Sequence, residues 1–165
     1  MYDTLLFPTD GSDGAKAALE HAEDVATRYD ATLHLLFVAP AEIGPPGMVG
    51  EEHDDVDTSD MTGKQHESQG TGMTATEQDI ESIEQEGQAI VSRAAESIDD
   101  VPVETVVLRG NAYEQILNYA DESDTDLIVM GTHGRTGVDR YLLGSVTEKV
   151  VRTSDVPVLT VRMSG

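Results

Sequence analysis

The chain has 165 residues, the size of one ordinary domain, and its 32 acidic and 10 basic side chains give a formal net charge of −22. A surface this acidic repels a phosphate backbone, which argues against DNA or RNA as a partner. Because the chain has no cysteine, disulfides, thiolate metal sites and thiolate nucleophiles are excluded. The first residues, MYDTLLFPTDG, carry no basic leader, and their apolar run is too short for a signal peptide or a membrane span, so we expect one soluble, cytoplasmic domain over residues 1–165 with no membrane partner.

The first part of the chain predicts a strand, a helix and a second strand. Residues 3–9 form a short apolar run, and residues 10–13, DGSD, then supply turn and helix-capping chemistry. From Ala15 to Tyr29 the apolar residues recur at spacings of three and four, which is typical of an amphipathic helix. A second strand is predicted from Thr32 to Val38.

A change of composition follows the second strand. Between about residues 39 and 75 the chain is rich in Gly, Pro, Met, Asp, Glu and Ser and has almost no aliphatic periodicity. A segment of this length without a helical or strand pattern is typical of either a functional lid or a disordered insertion. Both interpretations stay open at this point, and we expect a mobile acidic insertion at about 39–75.

The rest of the chain continues the alternation of helices and strands. Its first helix has an apolar stripe and an acidic outer face, which indicates a solvated surface helix. The predicted helices are Thr76–Asp99, Asn111–Glu122 and Ser145–Arg152, and the predicted strands are Val103–Leu108, Leu127–Met130 and Pro157–Arg162.

This alternation predicts the fold class. Strands that alternate with helices, one of them the wholly apolar LIVM, indicate a parallel sheet that is buried on both faces. We therefore predict an α/β fold, a doubly wound, Rossmann-like, five-stranded parallel sheet with helices on both faces. Ligands of such sheets bind in the crevice beyond the carboxyl ends of the strands, where the winding reverses direction.

A glycine-rich segment follows the fourth predicted strand. Gly131, Gly134, Gly137 and Gly144 fall within fourteen residues, and Ser145 begins the last helix. Glycine lets the backbone approach a ligand closely, and the free N–H groups at a helix N-terminus favour an anion. Residues 131–152 also hold four basic and two acidic side chains, a balance of +2 in a strongly acidic chain. These features favour a phosphate-binding loop.

A purely structural interpretation of the same segment stays open. Ser145 and Glu148 form an S-x-x-E pattern, which is a capping box that a helix uses whether or not it binds anything. Glycine-rich loops between strands and helices are often simple turns, and this pattern is neither a P-loop nor the G-x-G-x-x-G fingerprint. From the residues alone, phosphate binding is therefore a hypothesis that competes with helix capping.

The spacing Gly131-x2-Gly134-x9-Gly144-Ser145 resembles the signature of the ATP-binding universal stress proteins. LLFPTDGS resembles that family's first strand and turn, LLFV the end of its second strand and SDVPVLTVR its closing strand. The resemblance covers the chain except for the 39–75 insertion. It implies an adenine nucleotide alpha hydrolase-like fold with strand order 3-2-1-4-5, and ATP bound at the carboxyl ends of strands 1 and 4.

The resemblance also implies residue roles. Asp10 would meet the ribose and the neighbouring edge of adenine, Val38 would hydrogen-bond adenine through its backbone, and the glycine loop would donate amides to the phosphates. We add Arg135 as a mobile counter-charge. The predicted nucleotide-binding set is Pro8, Thr9, Asp10, Val38, Met130, Gly131, Gly134, Arg135, Gly144, Ser145 and Val146.

The resemblance implies a nucleotide-dependent sensor or regulator of the stress response that acts on a downstream protein. The implied ligand is ATP, with Mg²⁺ held through the phosphates, and the implied assembly is a homodimer formed through the fifth strand, residues 157–162. Hydrolysis needs a positioned water and a base, and we identify no catalytic residue and no protein metal ligand. A slow ATPase and a nucleotide-independent dimeric interaction protein remain alternatives.

The charge balance predicts the salt dependence of stability. Only three of the ten basic residues are lysine, and an acidic, lysine-poor surface suits a halophilic cytoplasm, where salt screens the repulsion. The Debye length grows from about 3 Å at 1 M to about 30 Å at 0.01 M salt. We expect the protein to unfold, by circular dichroism, on dialysis from molar KCl into dilute buffer. A melting temperature that does not change with salt would contradict this.

Overall fold

The computed structural model describes residues 1–41, 76–132 and 144–162. Most of the predicted insertion at 39–75 therefore lies outside the described residues, and so do Gly134 and Arg135. Within the described ranges, no helix has both the length and the apolarity needed to cross a membrane.

The described residues form four helices and five strands, which alternate along the chain. All five strands are parallel and lie in the order β3-β2-β1-β4-β5, which confirms the predicted fold class and strand order. The predicted ends differ from the observed ones by at most three residues, the largest difference being at the end of α2. The elements are β1 Thr4–Pro8, α1 Asp13–Tyr29, β2 Thr32–Ala39, α2 Glu77–Glu96, β3 Val103–Arg109, α3 Ala112–Glu122, β4 Leu127–Gly131, α4 Ser145–Thr153 and β5 Val158–Val161.

Helices cover both faces of the sheet. α1 and α2 pack on one face, and α3 and α4 pack on the other. Side chains of successive strand residues point to opposite faces, so Leu5 and Phe7 enter the core under α1 and α2, whereas Leu6 enters the core under α3 and α4. The central strands are therefore apolar on both sides, as the LIVM run predicts.

Neighbouring strands end at different levels. β1 and β2 begin together, with Thr4 opposite Thr32, and their register ends with Pro8 opposite Leu36. β2 then runs three residues further, to Ala39. At about 3.3 Å per residue this is roughly 10 Å of strand without a neighbour on the β1 side. The difference in length opens a crevice at the carboxyl edge of the sheet.

At the amino ends of the strands, two hydrogen bonds join β1 to the second half of the chain. The Asp126 carboxylate accepts hydrogen bonds from the backbone N–H groups of Asp3 at 2.8 Å and Thr4 at 3.1 Å. These backbone donors hold the pKa of Asp126 below its ordinary value, because they stabilise the ionised form. The start of β1 is therefore held beside the start of β4, more than one hundred residues later in the chain.

α2 is anchored to the sheet at two positions. The Arg109 guanidinium, at the end of β3, donates from Nε and Nη2 to the two carboxylate oxygens of Glu84 at 2.9 and 3.0 Å, and from Nη1 to Glu77 at 2.6 Å. The bond from Arg109 lowers the pKa of Glu84. Three residues further along α2, Gly87 is buried against the ring of Phe37 on β2.

The contact at Gly87 gives a prediction about stability. A Cβ at this position would lie 2.2 Å from Cδ1 of Phe37, so alanine requires the ring or the helix to move. Helix propensity alone favours alanine over glycine by about 1 kcal/mol, whereas overpacking a core costs about 1–3 kcal/mol. We expect Gly87→Ala to lower the free energy of unfolding, measured by urea denaturation at constant high salt. Gln85→Ala, at an exposed position of the same helix, is the control and should be nearly neutral.

Candidate functional site

A cavity of about 470 Å³ lies at the carboxyl edge of the sheet, in the size range of small-molecule sites. Nine of the eleven predicted nucleotide-binding residues line it, and the other two, Gly134 and Arg135, lie outside the described residues. The nine are Pro8, Thr9, Asp10, Val38, Met130, Gly131, Gly144, Ser145 and Val146.

The N-terminus of α4 forms one end of this cavity. Gly144 occupies the N-cap position and has no side chain to accept the free N–H groups that follow it. The N–H of Glu148 is bonded within the helix, to Gly144 O at 2.9 Å. Those of Ser145, Val146 and Thr147 precede the first intrahelical bond, and a helix leaves such donors available to a ligand.

The capping-box interpretation of Ser145 and Glu148 is wrong. Ser145 is the first residue of the helix and does not occupy the N-cap position, so its hydroxyl cannot cap the helix as the pattern requires. The Glu148 carboxylate instead forms an ion pair with Arg152, one turn along, at 2.6 Å. Capping by Ser145 therefore no longer competes with the phosphate-binding interpretation, and among the described residues no side chain caps the N-terminus of α4.

Two hydrogen bonds hold α4 at the end of β4. The Gly144 N–H donates to Thr132 O at 2.6 Å, and the buried hydroxyl of Thr147 donates to Gly131 O at 2.9 Å. These bonds fix both the position and the direction of the helix end. Its free N–H groups consequently face the crevice between β1 and β4.

The N-terminus of α1 is different, although it lies at the same edge. The Ser12 side chain caps this helix by accepting from the Ala15 N–H at 3.2 Å. In the preceding turn the Gly11 N–H donates to Thr9 Oγ1 at 3.1 Å, and the Ser12 N–H donates to Asp10 Oδ1 at 2.9 Å. Gly11 adopts φ +76°, which suits glycine. The donors of this turn are used internally, so α4 is the better anion site.

Val38 forms part of the other end of the cavity. Alternate residues of a parallel strand direct both N–H and C=O to the same neighbour. Leu36 O accepts from the Thr9 N–H at 2.8 Å, on the β1 side. Ala39 O accepts from the Gly110 N–H at 2.8 Å, on the β3 side. Val38 shares the parity of Leu36, so its N–H and C=O point to the β1 side, beyond the end of β1 and into the crevice.

The structure requires glycine at position 131, independently of the binding role predicted for Gly131. A Cβ at this position would lie 2.9 Å from the backbone oxygen of Gly14, because α1 crosses β4 very closely there. The glycine therefore lets the first helix approach the fourth strand. Met130, the residue before it, is buried in the core under α3 and α4.

The structure adds cavity residues that sequence reasoning missed. Four of the nine come from α2 and α3, which flank the crevice. The acidic outer face predicted for α2 hid the fact that Ile83 and Glu86 line a cavity. Their i, i+3 spacing was the available signal, because it places both on one side of a helix. The added residues are Ala15, Leu36, Phe37, Pro40, Ile83, Glu86, Ala112, Ile116 and Thr147. Within residues 1–41, 76–132 and 144–162, no three His, Asp or Glu side chains are grouped as metal ligands.

Comparison with known proteins agrees with this architecture. The model of the universal stress protein family matches residues 1–162. A universal stress protein of Methanocaldococcus jannaschii is 32% identical over 164 residues, which cover 98% of this chain and 83% of the relative. A second one from the same archaeon is 28% identical, and its solved structure aligns over 100% of this chain and 99% of its own with a TM-score of 0.69 and 26% identity. A universal stress protein crystallised in complex with cAMP aligns over 99% of this chain and 98% of its own, at 25% identity and a TM-score of 0.58.

Proposed function

The chain belongs to the universal stress protein family, and from this premise we propose that it binds ATP in the crevice at the carboxyl ends of β1 and β4. We propose that nucleotide binding makes it a sensor or regulator of the stress response, working as one domain over residues 1–165 in a salt-rich cytoplasm. The observation that carries this proposal is the N-terminus of α4, which faces the crevice without a side-chain cap.

We propose that the phosphates bind at the α4 end of the cavity. Ser145 and Val146 offer backbone N–H groups there, and the positive end of the helix dipole adds to their attraction for an anion. Because these donors are main-chain groups, they can bind a polyanion without the need for basic side chains in an acidic chain. We propose that Gly134 and Gly144 donate from the same side, with Arg135 as a counter-charge and Mg²⁺ held through the phosphates.

The base belongs at the Val38 end. A strand residue that offers an N–H donor beside a C=O acceptor is complementary to the edge of adenine, where N1 accepts and the 6-amino group donates. Phe37, Ile83 and Pro40 supply apolar surface for the flat ring next to this edge. The related protein in complex with cAMP supports an adenine ligand.

The nucleoside lies between these ends. Asp10, in the turn after β1, is the residue that we propose to meet the ribose, flanked by Pro8 and Thr9. Met130 and Gly131 would line the opposite side at the end of β4. We propose binding without rapid turnover, since sequence and cavity give no residue that we would assign as the base for an in-line water.

A proline substitution tests the backbone donors. Proline is well tolerated at the first position of a helix, and the extended ψ of 148° at Gly144 suits a residue that precedes it. Ser145→Pro therefore removes one N–H and the hydroxyl but should keep α4, whereas Ser145→Ala removes only the hydroxyl. A hydrogen bond to a charged group contributes about 1.5–3 kcal/mol, so ATP affinity should fall at least tenfold in Ser145→Pro and clearly less in Ser145→Ala.

Calorimetric titration at molar salt is the measurement, with ATP, AMP and cAMP as ligands and phosphate release followed in parallel. Equal melting temperatures of the two variants verify that the fold is kept. ATP affinity that is unchanged in Ser145→Pro would contradict the phosphate site. Rapid metal-dependent phosphate release would favour the enzyme over the sensor.

We also propose a homodimer through β5. This strand lies at one edge of the sheet. Leu159 on β5 and Val151 on the neighbouring α4 are two of the four large apolar side chains that are exposed within the described residues, at 37% and 44%. An exposed apolar edge strand requires cover in a stable protein.

A charge on β5 tests this assembly. Leu159→Lys should shift the sedimentation coefficient from that of a dimer to that of a monomer, because a lysine would be buried at the two-fold contact. Gln78→Lys, exposed on α2 beside the other edge of the sheet, makes the same change in charge and should stay dimeric. A wild-type protein that sediments as a monomer at high concentration would refute the dimer.

A further inference from the structure

A carboxylate lines the end of the cavity that is opposite to the phosphate end. Glu86 lies on α2, which packs on β2 and β3, whereas α4 packs on β5 and α3. In the order β3-β2-β1-β4-β5, the central strand β1 separates these two groups of strands. Glu86 therefore belongs to the half of the cavity wall that contains Phe37 and Val38, the side that holds the base in the proposed function.

The anchors of α2 hold this residue in place. Glu84, two residues before Glu86, accepts a bidentate pair of hydrogen bonds from Arg109. Gly87, directly after Glu86, packs on the Phe37 ring. The backbone of residue 86 therefore lies between two fixed points of the helix.

The chemistry of Glu86 complements an amino group. An ionised carboxylate only accepts hydrogen bonds, and an exocyclic amino group has two N–H donors. The C=O of Val38 can take one of them, which leaves the other directed away from the strand. A second acceptor on the α2 side satisfies that donor, and Glu86 is an ionisable acceptor on the α2 wall of the cavity.

We propose that Glu86 accepts a hydrogen bond from the 6-amino group of the base and thereby selects adenine over purines that lack this group. The inference rests on the proposed function and assigns a specificity-determining residue within it. A purine with an oxygen at position 6 would bring that acceptor against both Val38 O and the Glu86 carboxylate. Such a pairing of acceptors disfavours hypoxanthine and guanine.

Three nucleotides that differ at position 6 of the purine measure what the 6-amino group contributes to affinity. ATP carries the 6-amino group, purine riboside triphosphate has hydrogen in its place, and inosine triphosphate has oxygen. Each is titrated at molar salt into the wild type, Glu86→Ala and Glu86→Gln. The control is Glu81→Ala, an exposed α2 carboxylate outside the cavity, which corrects for removing one negative charge from a protein that binds an anion.

We expect the wild type and Glu81→Ala to prefer ATP over purine riboside triphosphate by the same factor. In Glu86→Ala this preference should fall about tenfold, the effect of losing one charge-assisted hydrogen bond at the rim of a cavity. Glu86→Gln can turn an amide N–H toward an oxygen, so its affinity for inosine triphosphate should rise about tenfold over the control.

Two results overturn the proposal, and they differ. If the wild type binds ATP but its preference is unchanged in both Glu86 variants, the proposed function stands and the role of Glu86 is refuted. If the wild type binds none of the three triphosphates, the proposed function itself is refuted, and the role of Glu86 with it. Melting temperatures of all variants at the same salt verify that each protein is folded.

Discussion

The crevice depends on a difference in length between neighbouring strands. β1 has five residues and β2 has eight, and the two begin in register. The backbone groups that β2 presents beyond the end of β1 have therefore lost their partners in the sheet and need others. A ligand that carries an acceptor beside a donor can replace the missing strand. Adenine has such an edge, so in the proposed function the length of β1 determines both where the base binds and which base fits.

The other end of the site depends on how the helices are capped. α1 and α4 both begin at the carboxyl edge of the sheet, but Ser12 caps the first and Gly144 precedes the second. A serine cap satisfies the helix within the protein, whereas a glycine cap leaves its donors for a ligand. In a protein of net charge −22, the proposed phosphate site therefore depends on main-chain donors as well as on the few basic side chains.

The sequence predicted the elements and their order well, because apolar periodicity in a parallel α/β protein is strong and the long segment between β2 and α2 lacks it. It predicted the site less completely. The pattern of Ser145 and Glu148 was compatible with a capping box, and only the structure shows that the first intrahelical bond runs from the Glu148 N–H to Gly144 O, which makes Gly144 the N-cap. Glu86 was overlooked because an exposed carboxylate on an acidic helix looks like an ordinary surface residue until the packing of the helix on β2 brings it to the cavity wall. Where a helix begins and which of its faces lines a cavity depend on tertiary contacts that local patterns only partly encode.

The position of β1 in the centre of the sheet has a consequence for how the protein is made. β1 pairs with β4, and its first residues are held by the carboxylate of Asp126. Both β4 and Asp126 come more than one hundred residues later in the chain. Contacts between such distant segments form slowly. During synthesis the first strand, helix and second strand leave the ribosome long before β4 and α4 can join them. The crevice is thus among the last parts of the molecule to form, and the nucleotide of the proposed function would stabilise only a chain that has been completed to α4.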